Sequence, residues 1–378
     1  MDATPSSSSQ WFTSGDAVFP AMLAAIDGAV TSVSLETYIF ADCQLGERFR
    51  AALVAAAQRG VRVRVLVDAF GSLELPDYFW HPLQSAGGEV RLFNPIALGR
   101  LGIRDHRKLL ACDGRVAFIG GFNVAHEYEG DGVSRGWCDL GVRVTGALAV
   151  QLEASFERLF QRADLRHKPF VRLRKTVEKR RLVGGTEELL LSGPGRGASP
   201  LLRALRRDLV RTDAVRIVVA YFLPTWRLRR DLQKIARCGG RVQLLLAGKS
   251  DVLLSRLAAR SLYRKMLRAG VEIYEYEPQV LHAKLFIVGP AVYAGSANLD
   301  PRSLHLNYEL MVRFESDSVS ARAGEIFDTL LARSRRIERE TWRKSRTFLA
   351  RWQERLANFL LARVDPYLSL RQWQSLPD

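Results

Sequence analysis

The chain has 378 residues, 47% of them hydrophobic and 9% aromatic; it is long enough for two domains and apolar enough to bury a sizeable core, which excludes a disordered polymer. Its net charge of +16 points to an anionic partner, either a membrane or a nucleic acid, with the ordinary solvated surface of an Arg-rich proteome as the plain alternative. Four widely spaced cysteines (Cys43, Cys112, Cys138, Cys238) form neither a disulfide frame nor a zinc pattern, and are expected as reduced, mostly buried thiols of a cytosolic protein.

The Ser-rich stretch Met1 to Gln10 lacks the basic and apolar regions of a signal peptide. No run of 18 apolar residues suggests a spanning helix, so membrane contact is expected to be peripheral, from the cytoplasmic side of the inner membrane. Residues 19–29 read as a helix, 33–40 as a strand, 45–59 as a helix stopped by Gly60, and 61–67 as an alternating strand. The order then recurs: a strand at 215–222, a helix at 227–238 stopped by Gly239-Gly240, and a strand at 241–247. "SAGGEVRLFNP" and "RAGVEIYEYEP" continue the parallel.

Alternating strands and helices in two copies predict an α/β protein of two similar α/β/α lobes, an internal duplication, with a parallel or mixed sheet in each. We expect a first lobe over 1–165, a basic then Gly/Pro-rich linker over 166–200, a second lobe over 201–324 and a basic amphipathic helical tail over 325–378. In that tail Phe348, Leu349, Trp352, Leu356, Phe359, Leu360 and Val364 recur at helical spacing among Arg343, Lys344, Arg346, Arg351 and Arg355. The pattern fits an interfacial helix or a helix docked on the domain with solvated arginines.

Both lobes carry one chemical pattern. The first copy is His106, Lys108 and Asp113, followed by Gly120, Gly121 and Asn123; the second is His282 and Lys284, followed by Gly295, Ser296 and Asn298. Where the first copy has Asp113 the second has Gly289, in a turn one residue shorter, as if a deletion had removed the aspartate. Residues two apart on a strand share a face, so each His-Lys pair projects together. Imidazole acts as nucleophile or proton carrier near neutral pH, and ammonium offsets charge on a phosphoryl oxygen. Asp139 and Glu309 follow their Gly-x-x-Asn turns at comparable places, each on another strand. Tyr38, Phe40, Tyr221 and Phe222 end matching strands, to line a cleft or pack the core, whereas His126 is expected at the surface and Glu36 has no assigned role.

These motifs resemble the phospholipase D superfamily over roughly residues 19–313. "LETYIF", "DHRKLL", "GGFN" and "GSANLDPRSLHLNYEL" resemble bacterial cardiolipin synthases, in the branch without N-terminal transmembrane helices. The resemblance implies one active site shared between the lobes. His106 would attack a phosphodiester to form a phosphohistidine, and His282 would act as general acid and base. Lys108, Lys284, Asn123, Asn298 and Ser296 would bind phosphoryl oxygens, and Asp113 completes the catalytic motif by bracing its loop. Asp139 would orient His106 and Glu309 would orient His282. The implied activity is phosphatidyl transfer to phosphatidylglycerol at an anionic phospholipid membrane, without cofactor or metal. Hydrolysis of phospholipid or nucleic acid by the same site, and a non-catalytic basic module that binds membranes or nucleic acid, are the alternatives.

Overall fold

The computed structural model describes residues 8–95, 102–163, 179–195 and 197–365. In the first lobe the strands are β1 (Ser9–Phe12), β2 (Ser32–Thr37), β3 (Arg62–Asp68), β4 (Glu89–Phe93), β5 (Leu109–Cys112), β6 (Val116–Gly120) and β7 (Gly141–Thr145). They form one mixed sheet in the order β1-β7-β6-β5-β2-β3-β4. The second lobe contributes β8 (Arg180–Gly184), β9 (Glu187–Ser192), β10 (Ala214–Val219), β11 (Arg241–Lys249), β12 (Glu272–Val280), β13 (Lys284–Val288), β14 (Ala291–Gly295), β15 (Glu309–Glu315) and β16 (Ser334–Arg336). Their order is β16-β12-β11-β10-β13-β14-β15-β9-β8.

The duplication is visible strand by strand: β7-β6-β5-β2-β3-β4 matches β15-β14-β13-β10-β11-β12. In each lobe three strands run parallel and the next is antiparallel to them, placing the His-Lys strand beside the first parallel strand. The central strands are mostly buried along their length because both their faces are covered, with Ser32, Ser34 and Glu36 as buried polar exceptions in β2. Val33, Leu35, Val218 and Leu285 are all within 1% of complete burial, each contributing roughly 1.5–3 kcal/mol.

Helices supply the cover. α1 (Gly15–Asp27), α2 (Gln44–Gln58), α3 (His81–Ser85) and α4 (Ala147–Phe160) belong to the first lobe. α5 (Pro200–Leu209), α6 (Trp226–Arg237), α7 (Leu253–Arg268), α8 (Pro301–His305) and α9 (Asp317–Leu331) belong to the second, followed by α10 (Arg339–Ser345) and α11 (Phe348–Phe359). α1 and α2 pack on one core of the first sheet, and α5, α6 and α7 on a core of the second. A third core joins the lobes, drawing on one face of each sheet together with α4 and α9.

The described residues redraw two expected boundaries. Residues 180–192, placed by their charge in the linker, are a hairpin whose turn uses Gly185 at φ +64°, and β9 of that hairpin pairs with β15. Of the expected linker's basic run, Arg166, Lys168, Arg172, Arg174 and Lys175 lie outside the described residues. The expected start of the tail falls inside α9, whose Val319, Ala323, Ile326 and Phe327 enter the shared core. β16 then extends the second sheet along β12, so the segment beyond 325 is not purely helical. Cys112 and Cys138 are buried, whereas Cys238 is exposed.

The apolar stripe of the tail divides. Phe348, Leu349, Trp352, Leu356 and Phe359 face outward, while α11 seats Ala357 and Glu354 toward the body. Leu360 and Val364, in the turn of helix that follows, line the cleft described next.

Candidate active site

The two motifs meet at the junction of the lobes. His106 and His282 face each other with ring centroids 6.4 Å apart, at one end of a cleft of about 710 Å³. Backbone pairing across the junction sets this distance. Asp105 bridges Tyr308 in parallel fashion, and Cys138 bridges Leu281 in the same way. The His106 N–H donates to the Tyr308 carbonyl at 3.0 Å and the His282 N–H to the Cys138 carbonyl at 2.8 Å.

That register corrects the expected carboxylate pairing. Asp139 follows Cys138 and so reaches the second lobe's His282, its Oδ2 lying 2.6 Å from Nδ1. Glu309 follows Tyr308 and reaches the first lobe's His106, its Oε1 3.1 Å and Oε2 3.2 Å from Nδ1. Each imidazole is therefore held by the opposite lobe. Both Nδ1–H groups point at carboxylates, which leaves both Nε2 atoms for the cleft. Lys284 Nζ also lies 2.9 Å from His282 Nδ1, but the shorter carboxylate contact takes the ring proton and Lys284 donates to the His282 carbonyl.

The electrostatics of the two pairs differ. Asp139, despite burial that works the other way, is held below the usual carboxylate range by His282 and Lys284. Burial pushes Glu309 up to about 7 against the pull of Lys108 and the Ser296 hydroxyl. Burial, reinforced by Lys108 and Lys284, keeps His106 well below the ordinary imidazole value. His282 is also lowered by burial and Lys284, while Asp139 opposes the shift. Lys108 is lowered to about 7 by burial, and Lys284 is lowered for the same first reason.

The other expected site residues fall into three groups. Asn123 and Asn298 line the cleft, held alike: Asn123 Oδ1 accepts from Ile39 N at 3.0 Å, and Asn298 Oδ1 from Tyr221 N at 3.3 Å. Lys108 and Lys284 sit beneath the histidines, each donating to its own motif's His carbonyl; neither is among the cleft-lining residues. Ser296, expected on phosphate, is instead buried, donating to Glu309 and accepting from Leu310 N at 3.0 Å. Its first-lobe counterpart must be glycine, because a Cβ on Gly121 would lie 2.1 Å from Asp139 Oδ1.

Asp113, grouped with the catalytic residues on its motif position, lies away from the cleft. It accepts from Val30 N, Thr31 N and Ser32 N at 3.0, 2.7 and 2.9 Å, bracing the entry to β2. Against the burial that raises it, these N–H groups draw its carboxyl down to about 2. Gly289 occupies the same place in the second lobe: Asp113 and Gly289 have φ values of +56° and +58°. Asp113 N donates to Ser32 O and Gly289 N to Ala214 O. The aspartate was thus replaced rather than deleted, the shortening falling later in the turn. Thr212 takes over the bracing, its Oγ1 accepting from Ala214 N at 3.1 Å in the space beside Gly289.

Tyr38, Tyr221 and Phe222 line the cleft, whereas Phe40 packs inside against Phe79 and Trp80. His126 is exposed, and Glu36 is fully buried in an ion pair with Arg107 at 3.0 Å. Sequence reasoning missed Tyr128 and Trp137, whose rings lie 5.4 and 5.7 Å from His282, and Arg104, Asp251 and Arg302 on the cleft walls. No local pattern distinguishes these from packing residues, although Arg104 stands two positions before His106 and so shares its side of an extended segment.

A duplicated mixed sheet that brings two motif histidines to one apolar-walled cleft, each with its lysine behind it, defines an enzyme of the phospholipase D superfamily. A family profile described as "Cardiolipin synthase, PLD-like domain" matches residues 22–160 and 207–331, and the chain belongs to that family. It is 33% identical over 318 residues to Cardiolipin synthase B of Escherichia coli (strain K12), covering 80% of this chain and 75% of the relative. Over 321 residues it is 32% identical to Cardiolipin synthase 1 of Bacillus anthracis, covering 81% of this chain and 63% of that protein. The fold is shared with the phosphatidylserine synthase of Haemophilus influenzae Rd KW20, at a TM-score of 0.73 and 13% identity, covering 96% and 95% of the two chains. It also resembles a polyphosphate kinase from Porphyromonas gingivalis at a TM-score of 0.58 and 15% identity, covering 88% of this chain and 49% of that one.

Proposed function

We propose that the protein is a cardiolipin synthase-type phosphatidyltransferase working through a phosphohistidine, with phosphatidylglycerol as acceptor. The single observation that carries the reading is the 6.4 Å separation of two imidazoles, each anchored through Nδ1, a spacing that suits one phosphoryl group between them. His106 Nε2 attacks phosphorus and the bond to the leaving glycerol oxygen breaks, that oxygen taking a proton from His282. His282 then removes the proton from the acceptor hydroxyl, whose oxygen displaces His106 from phosphorus.

The assignment of roles follows from charge. Burial lowers both imidazoles, but ionised Asp139 opposes the shift of His282 while Lys108 and Lys284 reinforce that of His106, which makes His282 the better proton carrier and His106 the better neutral nucleophile. Asn123 and Asn298 orient the phosphoryl oxygens, and Lys108 and Lys284 supply positive potential from below. Aromatic and aliphatic walls, including Phe70, Trp137, Leu254 and Leu361, suit acyl chains and help exclude water, so an alcohol competes for the intermediate.

No described helix is long and apolar enough to cross a membrane. Attachment is proposed to be peripheral, at the cytoplasmic face of an anionic bilayer, through the outward stripe of α11 flanked by Arg351 and Arg355. Trp352→Glu is expected to weaken binding to phosphatidylglycerol vesicles roughly tenfold in flotation assays while leaving the melting temperature in place, because Trp352 is 54% exposed. Equal flotation of variant and wild type would remove α11 from the contact.

The test of the activity is mass spectrometry of the product from vesicles of phosphatidylglycerol and phosphatidylethanolamine, with plasmid in a parallel reaction. Cardiolipin formation supports the reading. Phosphatidic acid alone would assign hydrolysis, and nicked plasmid with unchanged lipid would assign a nuclease.

A further inference from the structure

Two arginines stand in the cleft wall beyond His106, and the transfer step as described uses neither. Arg104 is 4% exposed, with its guanidinium 4.8 Å from the Phe70 ring centroid and 3.7 Å from Asp68. Arg302 lies at the start of α8 and donates to the Gly102 carbonyl at 3.4 Å, which ties it to the segment leading into Arg104. Tyr38 connects this region to the reacting centre: its ring lies 5.1 Å from His106, and both guanidinium groups act electrostatically on its hydroxyl.

Arg302 already holds an anion. Its Nε and Nη2 donate to the two oxygens of Asp365, at 2.7 and 2.8 Å, in the forked geometry by which guanidinium also grips a phosphate. Asp365 is distant in sequence and ends the helical turn in which Leu360, Leu361 and Val364 line the same cleft. A surface salt bridge would contribute little to stability. This one places a carboxylate from the tail inside the substrate cleft.

We propose that Arg302, with Arg104 beside it, is a second anion subsite that takes the phosphodiester of the acceptor, and that Asp365 occupies this subsite until the acceptor displaces it. The inference rests on the cleft being a phosphoryl-transfer site and extends it to acceptor choice. When the attacking hydroxyl belongs to a glycerophosphodiester headgroup, the acceptor's own phosphate is fixed a glycerol's length from the reacting phosphorus. The far side of Tyr38 from His106 is where such a group would lie. A water molecule or a simple alcohol has no phosphate to place there, so the subsite favours a phospholipid acceptor over water.

Titration calorimetry of sn-glycero-3-phosphoglycerol against the full chain tests this, with His106→Ala as background to prevent turnover. Arg302→Gln is expected to weaken binding by about 10–100-fold, the range for losing charged hydrogen bonds, with partial recovery in Arg302→Lys. Asp365→Asn is expected to tighten binding several-fold, and that gain should vanish when Arg302→Gln is also present. Unchanged affinity in Arg302→Gln overturns the subsite, and unchanged or weaker affinity in Asp365→Asn overturns its occupation by Asp365. In the active chain, Arg302→Gln should cut transfer to phosphatidylglycerol at least tenfold more than transfer to free glycerol; equal losses contradict the proposal. The calorimetry reads out whether or not lipid is a substrate, so a failed transfer assay and a failed subsite remain distinguishable.

Discussion

The two lobes share a strand order and a motif, yet they support their catalytic edges differently. In the first, Asp113 gathers three backbone N–H groups at the entry to β2; in the second, Gly289 leaves that space to Thr212. The imidazole anchors differ as well, with an ionised aspartate on His282 and a glutamate raised to about 7 on His106. What the comparison teaches is that the motif aspartate is a brace, exchangeable for another brace. The crossed carboxylates, by contrast, make each half-site depend on the other lobe.

The largest effect is expected at the histidines. His106→Ala should lower phosphatidyl transfer by about 10⁴-fold or more, and His282→Ala by about 10²–10⁴-fold, since the second loses proton transfer and the first loses the nucleophile. Comparable small losses in both variants would break the division of roles. Next come the anchors. Asp139→Asn should cost on the order of 10²–10⁴-fold, because an amide does not stabilise the imidazolium of His282. Glu309→Gln should cost less, because Glu309 has already lost much of its charge near pH 7. The crossed pairing makes a distinctive claim here: Asp139→Asn should perturb the imidazole NMR signals of His282 more than those of His106, although Asp139 and His106 belong to one lobe.

How much of this was legible in the sequence depends on range. The central strands and the helices before Gly60 and Gly239 announce themselves by local periodicity and helix stops, and the duplicated His-x-Lys revealed the site. The crossing of Asp139 and Glu309 did not show, because both carboxylates sit at equivalent sequence places. Only the inter-lobe bridges at Asp105–Tyr308 and Cys138–Leu281 decide which imidazole each one reaches. The hairpin at 180–192 was hidden by its charged composition, although Gly184-Gly185 between Leu182-Val183 and Leu189-Leu190-Leu191 is a turn signal. The apolar stripe of α11 was legible but its orientation stayed open between an interfacial and a docked helix, because helical periodicity marks an apolar face without saying what meets it.

Smaller effects sharpen the brace comparison. Asp113→Ala should destabilise the fold by about 1–3 kcal/mol, by stranding N–H groups of Val30, Thr31 and Ser32, while leaving the catalytic step nearly intact. The folded pKa of Asp113 lies below its unfolded value, so this stability is fully present above about 4 and is lost as pH falls toward 2. Denaturation of Asp113→Asn beside the wild type should show a deficit at pH 7 that closes in acid; a deficit independent of pH would remove the charge argument. Smallest of all, Gly289→Ala should cost about 1 kcal/mol, since φ there is +58° and a Cβ would meet Thr212 at 3.1–3.2 Å. A stabilising Gly289→Ala would mean that the second turn is not under the constraint described.

The most direct measurement is capture of the covalent intermediate. His282→Ala, mixed with phosphatidylglycerol vesicles, quenched and digested, should yield a phosphatidyl adduct on the peptide containing His106, stable in base and labile in acid. An adduct on His282 in the His106→Ala protein, or turnover with neither histidine ever modified, would contradict the account.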